Sequence, residues 1–216
     1  MMHPDMPGHE VFTSFYFSDA VISPTKELLQ CIEDELVMEL CNLLVRPDQD
    51  FELVWHRDDI PPSATDEEEL ERLNQPAYSA QWNLALYDDS SLIVIPGSHQ
   101  RARTAEERRA GKYDRLDGQI TVDLKAGDVV FYNNNILHRG TYDRGKERMT
   151  LHGSVGHVKG AKIRARNVLQ HGGRDWVERC NFRGLKEGIR ERAEAMRERL
   201  VRMGKEAGEV GFSLEG

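Results

Sequence analysis

The chain from about residue 51 to residue 157 is dominated by short runs of apolar and β-branched residues, and turn-forming residues separate these runs. Short runs of this kind, bounded by turn residues, predict the strands of an all-β domain. The predicted strands are Phe51–Asp58, Tyr78–Tyr87, Ser91–Ile95, Ile120–Leu124, Val129–Tyr132, Ile136–His138 and Arg148–Val155. Many short strands at this spacing predict a mainly β fold with flanking helices. The expected architecture is a double-stranded β-helix (a cupin-like jelly roll) whose core covers about residues 51–157.

Helices are predicted on both sides of this core. Ser23-Pro24 begins a predicted helix that continues to about residue 45, and Thr65 caps an acidic helix start. An amphipathic helix over about residues 186–203 carries a narrow apolar stripe, formed by Ile189, Ala193, Met196, Leu200 and Met203. We expect this stripe to pack across one sheet. The alternative is a helix–helix seam between two subunits, which makes a homodimer possible.

Length and composition limit the classes of protein that fit. A chain of 216 residues is enough for one globular domain, expected over residues 1–216. A net charge of −8 argues against a nucleic-acid partner. The longest apolar runs fall short of the roughly 20 residues of a membrane span. The first residues do not resemble a secretory signal, and three widely spaced cysteines are typical of free thiols in a reducing compartment. We therefore expect a cytoplasmic protein without a membrane span.

Three residues in the predicted core have the order and type of metal ligands. In a strand, His56 and Asp58 would project from the same face about 7 Å apart, while Asp59 would point away. His138 would supply a third ligand once the sheet closes. Two histidines and one carboxylate on one face of an ion are typical of non-haem Fe(II) oxygenases. Alone, His56 would more simply be a surface histidine, and Asp59 is the alternative carboxylate.

Arg148 follows the third predicted ligand by ten residues. An iron oxygenase of this kind needs an electron-donating cosubstrate, commonly 2-oxoglutarate, whose far carboxylate requires a cation. The planar guanidinium of arginine pairs with a carboxylate through two parallel hydrogen bonds. Thr150 shares the strand parity of Arg148 and could add a hydroxyl to the same carboxylate. The alternative for Arg148 is a surface salt bridge.

Three segments of the chain resemble the phytanoyl-CoA dioxygenase family. They are WHRDD at 55–59, QWNLALYDDSSLIVIPGSH at 81–99 and GDVVFYNNNILHRGTYDRGKERMTLHGSVG at 127–156. The resemblance implies an Fe(II)- and 2-oxoglutarate-dependent dioxygenase that hydroxylates a C–H bond of a small molecule with O₂ and releases succinate and CO₂. It also implies that Gln81 and Asn83 lie near 2-oxoglutarate. The alternative for these two residues is a polar pair that faces solvent.

The chain departs from this family in one respect. Only 55 residues precede His56, and family members typically have more. We therefore expect an open pocket or one covered by a second subunit, with substrate contacts in loops 59–80 and 100–118. Two other classes remain open: a zinc hydrolase that uses the same three ligands with bound water, and a non-catalytic jelly-roll binding protein.

Overall fold

The computed structural model describes residues 1–170 and 173–209, and these form two compact units. The helical unit comprises Met1–Asn42, Tyr78–Gln81 and His152–Gly216, and the strand-rich unit comprises Leu43–Ala77 and Trp82–Leu151. Residues 171, 172 and 210–216 lie outside the described part. A single domain over residues 1–216 stays a prediction.

In the described part of the chain, eight strands form two four-stranded sheets. They are β1 (Leu36–Val45), β2 (Phe51–Glu52), β3 (Ser79–Ala85), β4 (Asp89–Val94), β5 (Ile120–Leu124), β6 (Val129–Asn133), β7 (His138–Tyr142) and β8 (Met149–His157). One sheet has the strand order β1-β8-β3-β6 and the other has the order β2-β7-β4-β5. The expected β fold with flanking helices is therefore confirmed.

The helices lie before, between and after these strands. They are α1 (His9–Tyr16), α2 (Asp19–Leu29), α3 (Asp66–Leu73), α4 (Ala105–Arg109), α5 (Ala161–Leu169), α6 (Gly173–Arg179) and α7 (Glu187–Ala207). The predicted capping box of α3 is present, since Glu68 N donates to Thr65 Oγ1 and Thr65 N donates to the Glu68 carboxylate. Within the described ranges, every helix is too short or too polar to cross a membrane.

Strand β4 is the centre of the strand-rich unit and is buried on both faces. Ile93 and Ile95 belong to one cluster, with Trp55, Leu116 and Leu137. Leu92 and Val94 belong to another, with Tyr132. Burial on both faces explains why the sequence here is a continuous apolar run rather than an alternating one. Because β7 pairs with β4, the chain around residue 138 is held at the middle of this sheet.

The predicted C-terminal helix is present as α7. Its stripe is buried from Ala193 to Met203, and Ile189 is half-buried. Helix α7 contacts α5 and α6, and packing of the stripe across a sheet stays a prediction. Arg199 on α7 also donates to the carbonyl of Leu36, at 2.6 Å. The apolar side of α7 is thus covered within the helical unit, and a homodimer stays a prediction.

Two predicted elements are wrong. The helix expected to continue to residue 45 ends at Leu29, and Leu36–Val45 is strand β1. The first half of β1 is buried on both faces, so its sequence lacks the alternating pattern of a half-buried strand. Its apolar residues could therefore be mistaken for the apolar face of a helix. The strand expected over Phe51–Asp58 is limited to Phe51–Glu52, with His56 in an isolated bridge to His138. The first 24 residues contain α1 and the start of α2.

Candidate metal centre and carboxylate site

The backbone brings two of the predicted ligands together. His138 begins β7, where it pairs with Val94 of β4 on one side and with His56 on the other. His56 N and His138 N each donate to the carbonyl of the other residue, at 3.1 Å. Side chains of directly opposed residues project from the same face of an antiparallel pair. The two imidazole rings accordingly lie 4.2 Å apart, centre to centre.

Both histidines have their ring orientation fixed by the backbone two residues earlier. His56 Nδ1 lies 2.8 Å from the carbonyl oxygen of Val54, and His138 Nδ1 lies 2.9 Å from that of Ile136. A nitrogen that contacts a carbonyl oxygen must carry the proton, so the lone pair of each neutral ring is on Nε2. Burial lowers the pKa of His56 below its ordinary value, and this favours the neutral form of the ring. Both rings are therefore arranged as metal ligands.

Asp58 completes the set. Its Oδ1 lies 3.7 Å from Nε2 of His56 and 3.7 Å from Nε2 of His138. The three ligand atoms all lie within 4.8 Å of one another, so one ion with bonds of about 2.0–2.2 Å needs only small movements to contact them all. Asp59, the alternative carboxylate, is turned away. Its side chain is buried, accepts from Asn134 Nδ2 at 2.6 Å and pairs with Arg72.

A run of asparagines and a buried arginine hold the segment that carries Asp58. Asp58 N donates to the carbonyl of Asn134, at 3.1 Å, and Arg57 donates to the carbonyl of Asn135. Burial lowers the pKa of Arg57 to about 10. Sequence reasoning did not identify these contacts. The signal was the Asn133-Asn134-Asn135 run, since Asn side chains commonly bond the backbone in turns.

Arg148 and Thr150 lie together, as their parity predicts, but they already contact a carboxylate of the chain. Arg148 Nε donates to Asp89 Oδ2 at 3.2 Å, and Thr150 Oγ1 donates to the same oxygen at 2.5 Å. The Arg148 side chain is only 10% exposed, so the surface salt bridge considered above is excluded. Its guanidinium also stacks over the ring of Tyr142, 4.4 Å from the ring centre. Asp89 and Tyr142 were missed by sequence reasoning.

Tyr142 connects this pair with β7. Its hydroxyl folds back over Gly140, where an added Cβ would lie 2.1 Å from the Tyr142 oxygen, so only glycine leaves room for the ring. Gly140 is two residues, or about 7 Å, from His138 along the strand. Arg148, Tyr142 and Asp89 line a cavity of about 360 Å³. Arg148 and Lys146 are the cations of its lining, which also carries six carboxylates and does not include His56, Asp58 or His138.

The two predicted residues of β3 are buried, so the solvent-facing alternative is wrong. Gln81 is 9% exposed and Asn83 is 6% exposed. Asn83 hydrogen-bonds the hydroxyl of Tyr132, whose ring packs edge-on against His138 with centres 5.5 Å apart. Burial raises the pKa of Tyr132 well above its ordinary value, so it stays neutral beside the ligands. A contact of Gln81 or Asn83 with a cosubstrate stays a prediction.

The two loops expected to contact a substrate are joined by ion pairs. Glu69 on α3 pairs with Arg103, and both side chains are buried. Asp66 accepts from Arg108 of α4, at 2.5 Å. These loops therefore form one packed structure rather than two independent segments.

A second cluster of potential ligands lies in the helical unit, formed by Cys31, Glu35 and His157. Lys159 N donates to His157 Nδ1 at 3.0 Å, so the neutral ring carries its proton on Nε2. That Nε2 is the atom that faces Glu35, at 3.8 Å. Burial raises the pKa of the Cys31 thiol to about 11. The His157 ring therefore lacks the free lone pair that the rings of His56 and His138 offer.

Fold and site together define a jelly-roll protein with a candidate centre of two histidines and one carboxylate. Residues 48–149, a little under half of the chain, match the family described as phytanoyl-CoA dioxygenase (PhyH). The match confirms the resemblance expected from the sequence. No curated protein matches the chain in sequence.

Solved structures share the fold. EctD from S. alaskensis with bound Fe has 20% sequence identity and a TM-score of 0.52, over 73% of this chain and 56% of that chain. EctD with 2-oxoglutarate and 5-hydroxyectoine has 18% identity and a TM-score of 0.51, over 73% and 55%. The alpha-ketoglutarate-dependent epimerase SnoN from nogalamycin biosynthesis has 15% identity and a TM-score of 0.50, over 70% and 59%. The chain thus spans little more than half the length of these proteins.

Proposed function

We propose that the protein is an Fe(II)- and 2-oxoglutarate-dependent dioxygenase that hydroxylates a C–H bond of a small organic molecule. The observation that carries this proposal is the convergence of His56 Nε2, His138 Nε2 and an Asp58 oxygen, with both Nδ1 atoms bonded to the backbone. Three protein ligands on one face of an ion leave the opposite face for a cosubstrate and O₂. The family match of residues 48–149 supports the same assignment.

The proposed roles follow from position. His56, Asp58 and His138 would hold Fe(II), and Arg148 with Thr150 would bind the far carboxylate of 2-oxoglutarate. Arg148 suits this role because it is buried and a guanidinium has five N–H donors. Its Nε bonds Asp89 and its guanidinium also hydrogen-bonds Tyr142, which leaves further donors for a carboxylate.

When bound, iron and 2-oxoglutarate supply the oxidising power from O₂, with succinate and CO₂ as co-products. The protein's residues position these groups and control access to them. The joined loops around α3 and α4 would contact the small-molecule substrate. Asn83, and Gln81 on the same strand, would complete the polar surroundings of the cosubstrate.

The experiment is an anaerobic titration with Fe(II) and 2-oxoglutarate, followed by the weak visible charge-transfer band of the chelate. We expect a band only when both are present, and we expect its loss in Asp58→Ala. The matched control is Asp34→Ala, which removes an exposed carboxylate outside the cavity lining. This variant should keep the band.

The same titration separates the other classes. Tight binding of zinc, with no band from Fe(II) and 2-oxoglutarate, would favour a hydrolase. Absence of both metal binding and the band would favour a non-catalytic binding protein. A cytoplasmic location and a homodimer are further parts of this proposal, and fractionation and sedimentation test them.

A further inference from the structure

The two groups expected to bind the cosubstrate's far carboxylate are already bound to a carboxylate of the chain. Arg148 Nε and Thr150 Oγ1 both donate to Asp89 Oδ2, at 3.2 and 2.5 Å. The side chains of Asp89 and Arg148 are 6% and 10% exposed, so this is a buried contact rather than a surface ion pair.

The backbone also holds Asp89 in this position. Its other oxygen, Oδ1, accepts from Ser91 N at 2.8 Å. Asp89 begins β4, and it pairs with Leu124 of β5. Both carboxylate oxygens therefore have donors, and the carboxylate is fixed beside Arg148 at the wall of the cavity.

This arrangement has two physical consequences for a second carboxylate. Thr150 has a single hydroxyl proton, so it can donate to Asp89 or to an incoming ligand, but not to both. An incoming carboxylate also meets the charge of Asp89. At a separation of ~6 Å and an effective dielectric constant of ~40, that repulsion corresponds to roughly ten-fold in affinity.

We infer that Asp89 is a specificity-determining residue for the cosubstrate, because it occupies Arg148 and Thr150 as an internal carboxylate and competes with the far carboxylate of the ligand. Asp89 thus lowers the preference for a dicarboxylic 2-oxo acid over 2-oxo acids with a neutral far end. The inference rests on the proposed function and adds to it the choice of cosubstrate.

The test compares two ligands in three proteins. Anaerobic Fe(II) protein is titrated with 2-oxoglutarate and with 2-oxopentanoate, which has a methyl group in place of the far carboxylate. Relative to the unmodified chain, Asp89→Asn should bind 2-oxoglutarate about ten-fold more tightly and 2-oxopentanoate with unchanged affinity. Asp34→Asn makes the same charge change at an exposed residue outside the cavity lining and should change neither affinity.

The outcomes separate this inference from the proposed function. If the unmodified chain gives the band and Asp89→Asn binds 2-oxoglutarate equally or less tightly, Asp89 is not a competitor and the inference fails while the function stands. If neither protein gives the band, both fail. A band that appears only in Asp89→Asn supports both.

Folding of the variant is checked by thermal unfolding, and Asp89→Ser makes the same charge change with a smaller side chain. The preference of the unmodified chain for 2-oxoglutarate over 2-oxopentanoate provides an independent measure of this competition. A charge-assisted hydrogen bond contributes about 10- to 150-fold in affinity, so competition by Asp89 should leave a preference for 2-oxoglutarate below about 100-fold. A preference of about 1,000-fold or more would contradict the inference.

Discussion

The buried ion pair between Glu39 and Arg164 allows a quantitative prediction for the helical unit. Glu39 on β1 has no exposed surface, and Arg164 on α5 is 2% exposed. Arg164 donates through Nε and Nη2 to the two carboxylate oxygens, each at 2.6 Å, and Ser79 of β3 adds a third hydrogen bond at 2.9 Å. Gly156 of β8 provides the room, because an added Cβ there would lie 2.3 Å from a Glu39 oxygen.

Replacing Glu39 by Ala leaves the guanidinium of Arg164 buried without its anion. Loss of one partner of a buried pair costs about 3–5 kcal/mol in the free energy of unfolding. For a chain of this size, each kcal/mol lowers the melting temperature by about 2–4 °C, so we expect a decrease of roughly 6–20 °C. Glu147→Ala is the matched control, because its partner Arg46 is half exposed, and it should cost less than about 1 kcal/mol.

The assay is urea unfolding followed by circular dichroism. The double variant Glu39→Leu with Arg164→Met removes both charges and keeps similar volume, so we expect it to recover most of the stability lost in Glu39→Ala. A loss below about 1 kcal/mol in Glu39→Ala with an unchanged m-value would refute the reasoning, because buried charges would then not require each other. A double variant no more stable than Glu39→Ala would refute it as well.

Four further predictions concern the site, the tail and one thiol. His138→Ala should lose Fe(II) binding in equilibrium dialysis and keep its circular dichroism spectrum; unchanged metal stoichiometry would remove His138 from the ligand set. Arg148→Ala should weaken 2-oxoglutarate binding about ten-fold or more, with partial recovery in Arg148→Lys and no change in the surface control Arg46→Ala; normal affinity in Arg148→Ala would assign the carboxylate to another cation. Leu200→Asp should lower the melting temperature, because it places a charge in the buried stripe of α7. Burial raises the pKa of Cys41 to about 11, so iodoacetamide should modify this thiol slowly at pH 8 in the native protein and quickly in urea.

The candidate metal site could be located from the sequence because ligand chemistry restricts residue type and order. His56, Asp58 and His138 lie together as expected, even though the first two are not in the strand that was predicted to align them. Two other contacts align them instead. His56 forms a bridge with His138, and Asp58 N donates to the Asn134 carbonyl. The predicted backbone conformation of this segment was therefore wrong, although the three side chains meet as predicted.

Elements with strong local signals were also predictable. The capping box of α3, strand β5 and the amphipathic pattern of α7 each depend on neighbouring residues, and each appears where the sequence predicts it. Strand β1 was mistaken for a helix because a strand buried on both faces has no alternating pattern. Whether it is a strand depends on pairing with β8, which lies more than a hundred residues away in the sequence.

The tertiary structure alone decided what each buried charge contacts. Arg148 was predicted to face a cosubstrate carboxylate, and the chain itself supplies one from Asp89, 59 residues earlier. Arg164 and Glu39 are 125 residues apart and have no local pattern that joins them. The physical reason is that a side chain's chemistry determines the kind of partner it requires when buried, whereas the fold determines which of many chemically equivalent residues meets that requirement.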